Sequence, residues 1–141
     1  MNDSLPSAKS AHSPDERRKI QRVIAERGLC GLANDTKWDE FIAGMRNQQD
    51  WCPRFRFKCV DGRPSSWDCE WCYHLPFPFI SVEWFDIGFL QVRHQLPHRD
   101  RVLDHSPWIE EFLRRIGLDY QKGSTMIRTF GYSPKSLELL D

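Results

Sequence analysis

Two neighbouring stretches of the chain repeat their apolar residues with different periods, and that change restricts the fold more than any other feature. In "NDTKWDEFIAGMRNQQ" the residues Trp38, Phe41, Ile42 and Met45 follow the i, i+3, i+4, i+7 spacing of one helix face. Just downstream, "CPRFRFKCV" alternates. Phe55, Phe57 and Cys59 point one way, and Arg54, Arg56 and Lys58 the other, as on a strand. A helix with one apolar stripe and a strand with one apolar face both need a layer to pack against. The expectation is therefore an α+β domain.

The flanking sequence extends the pattern. "SPDERRKIQRVIAERG" predicts a helix with Ser13 as N-cap, Pro14 in the first turn, Glu16 completing a capping box and Gly28 at the end. Its stripe of Ile20, Val23 and Ile24 is narrow, so residues 13–33 read as an appendage. Residues 1–12 are polar and aperiodic and read as a disordered tail. The helix at 34–49 is expected to be capped near Asp35 or Thr36. "WDCEWCYHL" alternates and predicts a second strand, with Trp67, Cys69, Trp71 and Tyr73 on one face. "FISVEWFDIGFLQV" predicts a third strand, kinked between Phe85 and Gly88, and "RHQLPHRDRVLDH" a long loop. "SPWIEEFLRRIG" predicts a helix burying Trp108, Ile109, Phe112, Leu113 and Ile116, and "STMIRTFGY" a last strand. The order ααβββαβ implies a mostly antiparallel four-stranded sheet with helices packed on one face, residues 34–141 forming a single domain.

Charge narrows the classes of partner. Lys plus Arg and Asp plus Glu number 20 each, so no global field draws the chain to nucleic acid or to an anionic membrane. No run of apolar residues is long enough to span a bilayer, and "MNDSLPSAKSAHSPDERRK" has no apolar stretch of a secretory signal. A soluble, cytoplasmic protein is expected, in which the five cysteines stay reduced.

Cys52, Cys59, Cys69 and Cys72 raise the question of zinc, which needs four converging ligands, commonly from a tight Cys-x-x-Cys turn. If residues 67–73 form a strand, Cys69 and Cys72 project to opposite faces and packing is the better account. A redox role would need the pair at a helix N-terminus, and no such unit surrounds it. The 94–105 loop gathers His94, His98, Asp100, Asp104 and His105, which could bind a metal or exchange protons, although polar residues also gather in solvated loops. "HRD" at 98–100 lacks the other parts of a kinase site. The row Arg54, Arg56 and Lys58 could meet an acidic partner, or could pair internally with Glu70 and Glu83 on neighbouring strands.

Taken in order, "TKWDEFIAGMR", "RFKCVDG", "WDCEWCYHLPF", "ISVEWFDI" and "IRTFGY" resemble an uncharacterised family of small bacterial proteins, a domain of unknown function, over about residues 36–132. In that family's pattern small or aromatic residues stand at the positions of Cys69 and Cys72, which favours packing thiols. The resemblance carries over no catalytic residue. Similar small proteins serve as immunity or accessory partners in bacterial toxin systems, and this implies by kind a role in masking another protein.

The sequence therefore points to a non-catalytic protein-binding module without a cofactor, its partner a protein of acidic character, its oligomeric state open. The candidate surface joins Arg54, Arg56, Lys58, Glu70, His74 and Glu83 to His94, His98, Arg99 and Asp100. The alternative is a small metal-binding or metal-dependent enzyme domain using the His94–His105 loop or the Cys52, Cys59, Cys69 and Cys72 cluster.

Overall fold

In the computed structural model, which describes residues 5–141, the apolar helix stripe and the alternating strand meet across one core. The central sheet is four-stranded and antiparallel. Its order is β2 (Phe55–Cys59), β3 (Val82–Gly88), β7 (Met126–Phe130), β6 (Tyr120–Lys122). Register sets Phe55 opposite Ile87 and Ile87 opposite Ile127. Those three join Phe85 in a buried cluster with Trp38, Phe41, Ile42 and Met45 of α2 (Asp35–Arg46) and with Ile109 and Leu113 of α3 (Ser106–Ile116). Aromatic rings interlock there: Phe41 meets Phe85 edge-on at 5.3 Å, and Phe55 meets Trp71 at 4.9 Å. Gly44 lets α2 and α3 approach, because a Cβ at that position would collide with the Phe112 ring.

Helix α1 (Pro14–Arg27) packs Ile20 against Val60 and Tyr132 in a second, smaller cluster and stops at Gly28, which is left-handed at φ +66°. Short pairings complete the topology. Strand β1 (Cys30–Gly31) pairs with β8 (Tyr132–Ser133), and β4 (Leu90–Arg93) pairs with β5 (Arg101–Asp104). Asn34, one residue before the expected cap, closes the start of α2 by accepting the Lys37 N–H at 2.9 Å.

Three expectations are corrected. Residues 67–73 are not a strand. Asp68 makes a single bridge to Phe55, and then the chain turns, because side-chain carboxylates take the N–H groups that a ladder would use. Asp68 Oδ1 accepts from Cys69 at 2.6 Å and Glu70 at 2.9 Å, and Glu70 Oε1 accepts from Cys72 at 2.5 Å and Tyr73 at 2.7 Å. Trp71 is thereby swung into the core, while Tyr73 is exposed. The fourth place in the sheet belongs to β6, which the sequence hid inside a connection. The 94–105 segment is not a loop throughout, since β5 folds back on β4 as a hairpin. The expected disordered tail lies partly outside the described residues, at 1–4. In its described part Ala8 is fully buried, its N–H donates to Asp39 Oδ1 at 2.8 Å and its carbonyl accepts from Phe79 at 2.8 Å.

Candidate functional site

Strand alternation puts Arg56, Trp84, Asp86 and Arg128 on the sheet face opposite the aromatic cluster, and that face is not the open cationic platform the sequence suggested. Asp86 and Arg128 are fully buried. Arg128 grips Asp86 with two bonds, Nε to Oδ1 at 2.7 Å and Nη2 to Oδ2 at 3.0 Å. Arg56 adds Nε at 3.1 Å and Nη2 at 2.8 Å on the same Oδ2. Arg128 also stacks on Trp84 at 3.7 Å. Further along, Lys58 and Arg27 share Glu83 Oε1 at 2.8 and 2.7 Å. Burial pushes the Glu83 carboxyl up, but the hydrogen bonds from Arg27 and Lys58 prevail and hold it below the usual range. Arg56, Lys58 and Glu83 are thus largely covered and paired within the fold, their side chains 12, 15 and 6% exposed. Sequence reasoning anticipated the Lys58–Glu83 pair and missed Asp86 and Arg128. The available signal was an aspartate inside the apolar run "ISVEWFDIGF" and an arginine alternating with Ile127 and Thr129.

Arg54 stays exposed and lies flat on Trp67 at 4.1 Å. Glu70 and His74 belong to the 68–74 turn and not to a strand beside Arg56. Glu70 is spent on backbone N–H groups, chiefly that of Tyr73, which keep its carboxyl below the usual range, and His74 Nδ1 sits 2.8 Å from Asp68. The cysteines are all free. Cys59 lies 3.4 Å from the Ser81 hydroxyl, and burial pushes its thiol up, as it does that of Cys52. Cys69 is exposed on the turn. Among the described residues no three His, Cys, Asp or Glu side chains converge as metal ligands.

The remaining candidates collect on the β4–β5 hairpin. All seven residues of β3 are buried; past Phe89 the chain leaves the core, and β4 emerges exposed. Val92 faces Val102 in register, 51 and 57% exposed, with Leu90 two residues away on the same face. On the other face Arg93 stands directly opposite Arg101. At the tip His94 pairs with Asp100 at 2.9 Å, Leu96 is 95% exposed, and His98 and Arg99 project into solvent.

The base of the hairpin is clamped. The His105 ring stacks on Trp51 at 4.0 Å, its Nδ1 accepts from Trp108 Nε1 at 2.8 Å, and its Nε2 therefore donates to Gln91 Oε1, also at 2.8 Å. Burial first, and then Arg93, depress the His105 pKa, against a smaller pull from Asp104. Asp104 accepts the Ser106 N–H at 2.8 Å at the start of α3. Both acids of the hairpin are accordingly engaged, whereas Arg93, Arg99 and Arg101 have no carboxylate within ion-pair distance among the described residues.

No helix is long and apolar enough to cross a membrane among the described residues. No curated protein and no solved structure matches the chain. A family model does match, over residues 20–136, and the chain belongs to that family of unknown function, DUF6678.

Proposed function

We propose that the chain is a non-catalytic protein-binding module that docks an acidic surface of another protein on the 90–104 hairpin. One observation carries this reading: Arg93 lies directly across from Arg101 with no acid between them, one strand position from the exposed Val92–Val102 pair. Like charges in directly opposed positions destabilise a sheet, and an isolated two-stranded ribbon is already marginal. A partner supplying carboxylates and an apolar strip would relieve the first cost and cover the valines. An immunity-type role, with the hairpin masking an acidic face of a toxin domain in the cytoplasm, is the setting we infer. It narrows the interaction surface to Arg93, His94, His98, Arg99, Asp100 and Arg101, with Arg54 on Trp67 as a separate exposed cation. Arg56, Lys58 and Glu83 take no part in this surface.

The test compares two folded baits. Wild type and Arg93→Glu/Arg101→Glu are used to recover partners, and each recovered protein is then titrated by calorimetry at low and high salt. The double reversal should weaken a true partner at least about tenfold, near 1.4 kcal/mol, and remove most of the salt dependence. A partner that binds both baits equally removes the hairpin from consideration. Duplex DNA binding that is lost in the same variant would replace the protein partner by a nucleic acid.

A further inference from the structure

Away from the hairpin, the connection between β6 and β7 holds a carboxylate. In the turn Gly123–Ser124–Thr125 the Ser124 N–H donates to Asp141 Oδ1 at 2.7 Å. The Thr125 N–H reaches Oδ1 at 3.2 Å and Oδ2 at 3.1 Å, and the Thr125 hydroxyl makes a short bond to Oδ2. The Ser124 hydroxyl reaches the Asp141 backbone oxygen at 3.3 Å. Successive N–H groups converging on one acid form an anion nest. Gly123 keeps the cradle open, because a Cβ there would collide with Asp141 Oδ1 and stand 3.1 Å from Leu140 Cδ1. Burial pushes the Asp141 carboxyl up, but the donors of Thr125 and Ser124 outweigh it and hold it below the usual range.

A second anchor reads the backbone of the same segment. Arg56 Nη2 donates to the Leu139 carbonyl at 3.1 Å, and Arg128 Nη1 donates to the Ser136 carbonyl at 3.0 Å. Both guanidinium groups share the single carboxylate of Asp86, so the pair keeps one net positive charge beside the segment it holds. The segment gains little else. Leu137 and Leu139 are 59 and 56% exposed, and Leu139 sits at φ +63°, a conformation that disfavours a side chain of its size. Its seat is thus polar and its backbone strained, the marks of a ligand held by a site and not of a core element.

We propose that Gly123, Ser124 and Thr125, together with Arg56 and Arg128, form a binding site for a carboxylate-bearing peptide segment. In this chain residues 136–141 fill it, and an acidic segment of a partner protein can enter where the Asp141 carboxylate is disengaged. The spacing states what such a segment must offer: an Asp side chain, with a free carbonyl two residues before it for Arg56 and another five residues before it for Arg128. This inference is independent of the hairpin.

The test uses full-length Asp141→Asn and the amidated peptide Ser-Leu-Glu-Leu-Leu-Asp, with the Ser124 and Thr125 amide resonances as readout. In wild type the internal segment acts at an effective concentration in the millimolar range or above, so peptide at about 5 mM should leave the spectrum unchanged. In Asp141→Asn both amides should move away from their carboxylate-bonded positions, and the same peptide should restore at least half of that shift. The peptide ending in Asn should restore none. Gly123→Ala, which fills the cradle, should show neither the wild-type resonances nor any response to peptide. No restoration in Asp141→Asn would overturn the proposal, as would an equal response to the Asn peptide or to inorganic phosphate.

Discussion

Replacing Asp86 by alanine tests the account of the sheet's covered face. The perturbation removes one carboxylate that accepts two bonds from Arg128 and two from Arg56. Arg128 is fully buried and stacked on Trp84, so it cannot turn to water for its lost partner. Arg56 has only a 12% exposed side chain and can rehydrate in part. Breaking a buried pair by deleting one partner costs about 3–5 kcal/mol, most of it the uncompensated charge left behind. The upper half of that range is expected here, since two cations are orphaned by one deletion. A domain of this size commonly has about 5–15 kcal/mol of stability, so Asp86→Ala should be folded but marginal. Urea denaturation followed by tryptophan fluorescence gives the loss. The companion variant Asp86→Leu/Arg128→Met removes the acid and its fully buried base and leaves only the partly accessible Arg56 unpaired, and it should recover at least about 2 kcal/mol relative to Asp86→Ala, because packed apolar groups replace a buried ion pair at little net cost. A loss below about 1 kcal/mol in Asp86→Ala, or a double variant no better than the single, would refute the claim that these charges are buried and mutually dependent.

Two further outcomes follow from particular contacts. His105 has its pKa depressed in the fold by burial and by Arg93, so the unfolded chain takes up a proton first. Its contribution is complete above the ordinary value of about 6.5 and falls as pH drops through it, and the difference in urea stability between wild type and His105→Gln should therefore shrink from pH 7.5 to pH 5.5. A difference that is constant or grows on acidification would show that the stacked, doubly bonded neutral ring is misassigned. Asp39→Ala deletes the acceptor of the Ala8 N–H and should cost about 1–3 kcal/mol, with faster amide exchange at Phe79, the donor to the Ala8 carbonyl. Unchanged melting would mean that the Asp39–Ala8 bond contributes nothing to the domain.

Local patterns read directly from the sequence were those whose physics is local. The stripe Trp38, Phe41, Ile42, Met45 and the alternation of Phe55 and Phe57 each state which side is apolar, and a helix or strand follows without knowledge of its neighbours. The Pro and Gly punctuation of α1 and α3 is equally self-contained. The mixed α+β class follows from these pieces, whereas the fourth strand of the sheet does not.

Other features needed the third dimension. "WDCEWCYHL" alternates as a strand would, yet Asp68 and Glu70 close a turn by capping their own backbone, a choice that alternation cannot register. With a turn at that point, strand geometry does not keep Cys69 and Cys72 apart, and their separation from other ligands rests on where the turn lies. The cations Arg56 and Lys58 were visible as a row, but whether they face water depended on Asp86 and Glu83 across the ladder and, for Arg56, on the Leu139 carbonyl. The second strand of the hairpin arose from a stretch without a usable period, because its four residues bury no apolar face that would impose one. Burial of one apolar face determines a chain's local structure from within. Which charges are paired and which remain free is decided only when distant segments meet.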